Sequence, residues 1–242
     1  MYLSAATMYV NPQYLPGGPK SLPGISIRAF GLGVALGVSG LLAAELAFWG
    51  YDLWRAPFFI ATLAVFHYLE FDMTARYNPP DARVSSFLLL SNGYAYTVAH
   101  VTAMCELVLR HWLQSNHKPA WLSLRFKVPT LLPTVPSAVP VGLGITLILL
   151  GQCVRSAAMK KAKTNFNHIV QSTKKTDHVL VTTGVYAFSR HPAYLGFFWW
   201  GLGTQLLLGN HFCFLAYAVV LWNFFSHRIM RKTTPRPFVV GD

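Results

Sequence analysis

Six apolar runs along the chain are each close to the length that a helix needs to cross a bilayer. They are 29–49, 56–76, 84–110, 137–158, 192–209 and 212–227. A spanning helix takes about 20 apolar residues to cross a hydrocarbon core of about 30 Å. Of the 242 residues, 53% are hydrophobic and only 12% are charged, against about 25% charged in soluble domains. The predicted fold is therefore all-α: a polytopic membrane helical bundle of about six transmembrane helices.

The basic residues collect between the apolar runs, although the net charge is +12. The segment 155–190 carries seven lysines and arginines against a single acid, Asp177. Because loops rich in Lys and Arg stay on the cytoplasmic side, this segment and both termini are predicted to be cytosolic. The connector 110–127 is also basic and lies on the opposite side, which conflicts mildly with that topology. This charge pattern indicates that the chain interacts with the lipid bilayer and not with nucleic acid.

The three cysteines are isolated in apolar stretches. Cys105, Cys153 and Cys213 have no metal-ligand spacing among them, so we predict buried free thiols and no metal site.

Residues 164–200 contain the polar side chains that point to chemistry. The segment begins too polar to cross a membrane and holds Asn165, Asn167, His168, Gln171, His178 and His191. It then reads Arg190-His191-Pro192 before an aromatic-rich span. Proline is favoured in the first turn of a helix, so His191 is predicted to lie just before a helix N-terminus. Such a terminus suits an anionic group.

Several motifs in and around this segment resemble one family. They are FNHIVQ (166–171), HVLVTTGVYAFSRHPAYLGFFWW (178–200), GTQLLLGN (203–210) and WNFFSHR (222–228). RHPxYxG alone is shared with membrane sterol reductases and phospholipid methyltransferases. With FNHxVQ upstream, the set resembles the isoprenylcysteine carboxyl methyltransferase family. Weaker similarity in SFLLLSNGYAYTVA (86–99) and FHYLE (66–70) extends the resemblance to roughly residues 28–228.

The resemblance implies a reaction, a cofactor and a site. The family uses S-adenosylmethionine to methylate the C-terminal carboxylate of prenylated cysteine in CaaX-processed proteins, at the endoplasmic reticulum membrane. The implied cofactor-binding residues are Gln171, His178, Val179, Leu180, Val181, Tyr186, His191, Pro192, Ala193 and Tyr194. Arg228 is implied as the catalytic residue that binds the substrate carboxylate.

The implied organisation has five segments. They are a flexible arm (1–24), transmembrane helices one to four (25–158), a cytosolic cofactor-binding linker (159–191), a transmembrane hairpin (192–228) and a divergent tail (229–242).

The residue types suit that chemistry. A carboxylate is already ionised at neutral pH and a sulfonium is already activated, so no general base is needed. The protein has to align the two groups and exclude water from them. Arginine binds carboxylate with two parallel hydrogen bonds. Aromatic faces such as Tyr186, Tyr194 and Trp199 suit a cationic sulfonium.

Two further features of the spans carry predictions. Glu70 and Glu106 lie inside apolar runs, where acids are costly and usually paired, so each is predicted to pair with Arg76 or Arg110. The aromatic run that ends at Trp200 is interpreted as an interfacial belt for at least that residue.

The chain departs from the family's pattern at its ends. Full-length animal members have two further N-terminal spans and an acidic run after the arginine that matches Arg228. Here the tail reads Ile229-Met230-Arg231-Lys232, with Lys232 near the place of an acid that helps to hold the cofactor. This predicts impaired methyl transfer. Two alternatives stay open: a membrane sterol-type NADPH reductase sharing the fold, and a catalytically weak prenyl-binding pseudoenzyme.

Overall fold

The computed structural model describes residues 11–114, 138–168 and 180–233. These ranges contain six α-helices, with short 3-10 helices between several of them, which confirms the all-α prediction. The helices are α1 (Leu22–Phe48), α2 (Arg55–Tyr77), α3 (Tyr94–Gln114), α4 (Ala138–Ala162), α5 (Pro192–Leu208) and α6 (Phe212–Thr233).

Four segments of the described chain are long and apolar enough to cross a membrane. They are Leu22–Phe48, Asp52–Tyr77, Ala138–Asn165 and Phe212–Met230. These contain α1, α2, α4 and most of α6. The prediction that α3 and α5 also cross the bilayer stays a prediction; α5 has only 17 residues.

The first helix begins earlier than its apolar run, inside the segment 1–24 that was predicted to be a flexible arm. Ser21 caps it, because the Ser21 Oγ accepts a hydrogen bond of 3.1 Å from the Gly24 N–H. A serine at this position satisfies one of the unpaired donors of the first turn. Helix α1 therefore starts at a polar capping residue and not at the first apolar one.

The third helix begins later than predicted. Residues Val84–Phe87 form a 3-10 helix, and left-handed backbone follows at Leu88 (φ 56°) and Gly93 (φ 82°). An α-helix cannot continue through such residues, so α3 starts at Tyr94. The other boundary differences are extensions: α4 continues into the predicted linker, and α6 continues past 228.

Helices α4 and α5 pack with their backbones in contact. A Cβ added to Gly151 would lie 2.6 Å from the Gly196 carbonyl oxygen, and one added to Gly144 would lie 2.8 Å from the Gly203 carbonyl oxygen. Small residues allow this approach between membrane helices. The contact places the start of α5 directly beside the C-terminal half of α4.

Helix α3 holds the turn between α5 and α6. The Glu106 carboxylate accepts hydrogen bonds from the backbone N–H groups of His211 (2.6 Å), Phe212 (2.9 Å) and Cys213 (2.7 Å). The Arg110 Nη2 donates to the Leu208 carbonyl at 2.7 Å. The predicted pairing of Glu106 with an arginine is therefore wrong: its charge caps the N-terminus of α6, where a carboxylate is favourable.

The bundle interior is aromatic at the middle of α5. Trp200 is 2% exposed and packs on Phe66 of α2, with ring centroids 4.6 Å apart. The interpretation of Trp200 as an interfacial belt residue is wrong. Its position on α5 turns it toward α2 and α4, where it joins Ile148 and Leu207 in one apolar cluster.

Candidate cofactor and substrate site

The motif at the start of α5 forms a helix N-terminus, as predicted. His191 is the N-cap residue and Pro192 follows in the first turn. The His191 backbone N–H donates to the Ser189 Oγ at 3.2 Å. Pro192 and Ala193 are buried, whereas His191 and Tyr194 are partly exposed. Of these four residues, His191 and Tyr194 therefore offer their rings to a ligand, whereas Pro192 and Ala193 are enclosed by the protein.

Stacked rings connect this N-terminus to α6. The rings of His191 and Tyr194 have centroids 5.7 Å apart and planes 21° apart. Tyr194 stacks in turn on Phe225 of α6, with centroids 4.8 Å apart. One helical turn further on, the Arg228 guanidinium lies 4.3 Å from the centroid of the Phe224 ring. The structure thus connects the predicted cofactor motif with the helix that carries the predicted substrate arginine.

Tyr186 lies on a 3-10 helix, Gly184–Ala187, that precedes α5. Its hydroxyl donates to the Ala158 carbonyl of α4 at 3.4 Å. Burial raises the pKa of Tyr186 above its usual value, and nearby Tyr194 raises it further. The phenol is therefore neutral at physiological pH and acts as a hydrogen-bond donor.

An open cavity of about 950 Å³ lies between the C-terminal end of α4 and residues 180–185. Its lining combines lysines with apolar side chains and includes Tyr77, Lys160, Lys161, Lys163, Leu180 and Val181. The volume is at the upper end of small-molecule sites. Leu180 and Val181, two predicted cofactor residues, therefore line a space large enough for a nucleoside-sized ligand.

The remaining predicted cofactor residues, Gln171, His178 and Val179, lie outside the described residues.

A buried ion pair behind the N-terminus of α5 was not predicted. Glu70 of α2 has no exposed surface, and its carboxylate accepts hydrogen bonds from Arg155 of α4. The Arg155 Nη2 lies 2.8 Å from the Glu70 Oε2, and the Arg155 Nε donates to the Glu70 Oε1. The predicted pairing of Glu70 with Arg76 or Arg110 is therefore wrong. Arg76 pairs with Asp72 of its own helix at 2.8 Å.

The Glu70–Arg155 ion pair contacts both the FNHIVQ segment and the first turn of α5. The Arg155 Nη1 donates to the Ala193 carbonyl at 3.1 Å, in the first turn of α5. The Glu70 Oε2 lies 2.8 Å from the His168 Nε2, in the FNHIVQ segment. From its sequence position, Arg155 was predicted to belong to the cytosolic basic segment 155–190. The available signal was its position inside the apolar run 137–158, where a charge is usually paired.

The comparisons with known proteins agree with the motifs. Residues 143–234 match the isoprenylcysteine carboxyl methyltransferase family. The chain is 42% identical over 205 residues to the protein-S-isoprenylcysteine O-methyltransferase of Saccharomyces cerevisiae, covering 85% of this chain and 79% of that protein. It is 38% identical to the mouse protein of the same name, of which it spans 64%.

A solved structure shares the fold. The chain superposes with a TM-score of 0.71 and 32% identity on the eukaryotic intramembrane Ras methyltransferase, isoprenylcysteine carboxyl methyltransferase, covering 87% of this chain and 68% of that one. The chain is thus a multi-pass intramembrane protein, which confirms the predicted membrane bundle. At this identity and coverage, it belongs to the isoprenylcysteine carboxyl methyltransferase family.

Proposed function

We propose that this chain methylates the C-terminal carboxylate of prenylated cysteine in CaaX-processed proteins, with S-adenosylmethionine as donor, at the cytosolic face of the endoplasmic reticulum membrane. Family membership supports the reaction class and the cofactor. The observation that carries the proposal is the ring contact between Tyr194 and Phe225. It holds the helix N-terminus that would receive the cofactor against the helix that would receive the substrate.

The residues around the start of α5 fit the cofactor. S-adenosylmethionine supplies a methyl group that is already activated by the sulfonium charge. The half-buried rings of Tyr186 and Tyr194 offer π faces to a cation, and the lysines of the cavity suit a carboxylate. Leu180 and Val181 add apolar surface to the same cavity as the lysines. Gln171, His178 and Val179 complete the proposed set from outside the described residues.

Arg228 is proposed to bind and orient the substrate carboxylate. The stacking of its guanidinium on Phe224 restricts the orientation of the side chain. A guanidinium fork can then bind both carboxylate oxygens and hold them in line with the methyl group. No proton has to move, because the carboxylate reacts in its ionised form.

Ligand binding separates this function from its alternatives. Protein solubilised in detergent should bind S-adenosylhomocysteine and not NADPH, and it should transfer a methyl group to farnesylcysteine. NADPH binding without S-adenosylhomocysteine binding would support the reductase instead. Binding of S-adenosylhomocysteine and farnesylcysteine without turnover would identify a prenyl-binding pseudoenzyme.

A further inference from the structure

We propose that Glu70 is a charge-compensating positioning residue of the cofactor site. It neutralises Arg155, so that this arginine can hold the first turn of α5 without presenting an unbalanced positive charge to a cationic cofactor. The proposal rests on the proposed function, because it requires S-adenosylmethionine to bind at the start of α5.

Arg155 occupies a position where an unpaired cation would be unfavourable. Its Nη1 donates to the Ala193 carbonyl in the first turn of α5, near the positive end of that helix dipole. The residue is only 7% exposed, so water screens its charge poorly. Its guanidinium lies 5.3 Å from the centroid of the Phe197 ring, so an aromatic face and not water covers this side of the charge.

The close packing of α4 and α5 makes this placement unavoidable. A Cβ on Gly196 would lie 2.8 Å from the Arg155 backbone nitrogen, so the arginine starts directly beneath the first turns of α5. Any charge on this side chain is therefore felt at the N-terminus that is proposed to receive the cofactor.

Glu70 supplies the compensating charge from a third helix. Its carboxylate is fully buried and takes two hydrogen bonds from Arg155. It also lies 2.8 Å from the His168 Nε2, a distance at which an imidazole N–H donates to a carboxylate. Glu70 therefore holds His168 as well as the arginine that contacts the first turn of α5. It does not touch the proposed ligand, and it acts through Arg155 and His168.

Two ligands that differ in one charge distinguish this role from general support of the fold. S-adenosylmethionine carries a sulfonium, and S-adenosylhomocysteine has a neutral thioether with otherwise nearly the same groups. A distorted pocket weakens the binding of both, whereas an unbalanced guanidinium repels only the sulfonium. If the guanidinium and the sulfonium lie about 10 Å apart, their repulsion at an effective dielectric constant of about 20 weakens binding by roughly tenfold.

The experiment measures the dissociation constants of both ligands with the full chain in detergent. Glu70→Gln removes the negative charge. It should weaken the binding of S-adenosylmethionine by about tenfold more than the binding of S-adenosylhomocysteine. Combining it with Arg155→Gln removes both charges, so the ratio of the two constants should return to within about twofold of the wild-type ratio. Asp72→Asn is the matched control, because Asp72 lies on the same helix and pairs with Arg76. It should leave both constants unchanged.

If Glu70→Gln does not fold, a second variant tests the same inference. Arg155→Gln alone leaves Glu70 unbalanced and should shift the ratio in the opposite direction, in favour of S-adenosylmethionine. Equal weakening of both ligands in Glu70→Gln, or a ratio that the double substitution does not restore, would overturn the inference and leave the proposed function standing. Failure of the wild-type chain to bind either ligand would overturn both.

Discussion

Tyr194 of α5 and Phe225 of α6 stack with their ring centroids 4.8 Å apart and their planes 19° apart. The first residue belongs to the proposed cofactor motif, and the second lies one helical turn before Arg228. Replacing Phe225 by Leu keeps an apolar side chain of similar size but removes a ring contact worth about 0.5–1.5 kcal/mol. We expect KM for farnesylcysteine and the dissociation constant of S-adenosylhomocysteine to rise together by about threefold to tenfold. Trp222→Leu, an exposed position on the same helix, should change the cofactor constant little.

His191 precedes α5 and stacks on Tyr194. His191→Ala should weaken S-adenosylhomocysteine by one lost polar contact, about 1–3 kcal/mol, which is roughly tenfold to a hundredfold. Isothermal titration of correctly folded protein measures this effect. An unchanged affinity would remove His191 from the cofactor site.

Arg228→Lys keeps the charge but loses the planar fork. It should lower kcat/KM for farnesylcysteine by at least about tenfold, because a hydrogen bond to a charged group is worth about 1.5–3 kcal/mol. The dissociation constant of S-adenosylhomocysteine should stay within about twofold of wild type. Wild-type kinetics in this variant would mean that Arg228 acts only as a basic residue at the predicted cytosolic end of α6.

The sequence after Arg228 predicts weak activity. Helix α6 continues to Thr233, and residues 234–242 lie outside the described chain. Lys232 lies near the sequence position at which family members carry an acid, and a lysine there would repel the cationic groups of the cofactor. Replacing 229–242 with an acidic, family-like tail should raise methyl transfer by at least about tenfold, since the exchange removes a repulsion and adds an attraction worth about 1.5–3 kcal/mol. Equal rates before and after the exchange would show that another group fulfils the role of that acid.

The cytosolic placement of the linker can be tested by labelling single cysteines after the three native ones are replaced by Ala. Lys161 and Thr182 are both exposed and lie within the linker, so each is replaced by cysteine in turn. Each should react with an impermeant maleimide only from the cytosolic face. A cysteine at Tyr51, between α1 and α2, should react only from the opposite face. Reversed labelling would contradict the predicted topology.

Local sequence signals predicted the parts of this molecule that depend on local interactions. Pro192 marked the start of α5 because the fixed φ of proline favours the first turn of a helix. Apolar runs predicted the six helices, since length and hydropathy are properties of a single segment. The same runs misplaced the start of α3, because the left-handed backbone at Leu88 is not encoded by hydropathy.

Contacts between residues that are distant in sequence could not be predicted from a single sequence. Glu70 pairs with Arg155 and His168 on other segments, and neither neighbour is marked by spacing along the sequence. Trp200 belongs to an aromatic run that is typical of interfaces, yet the rotation of α5 turns it into the core. Such facts depend on how helices are rotated and paired. Only the packed bundle determines them.

The glycine contact between α4 and α5 limits how ligands can enter and leave. Gly151 and Gly196 meet so closely that even a methyl group at either position would collide with the carbonyl oxygen of the other. Sliding or parting them would expose carbonyl groups and separate Arg155 from Ala193. Helices α4 and α5 therefore form a fixed wall of the site, and ligands are expected to enter and leave without a gap opening between these two helices.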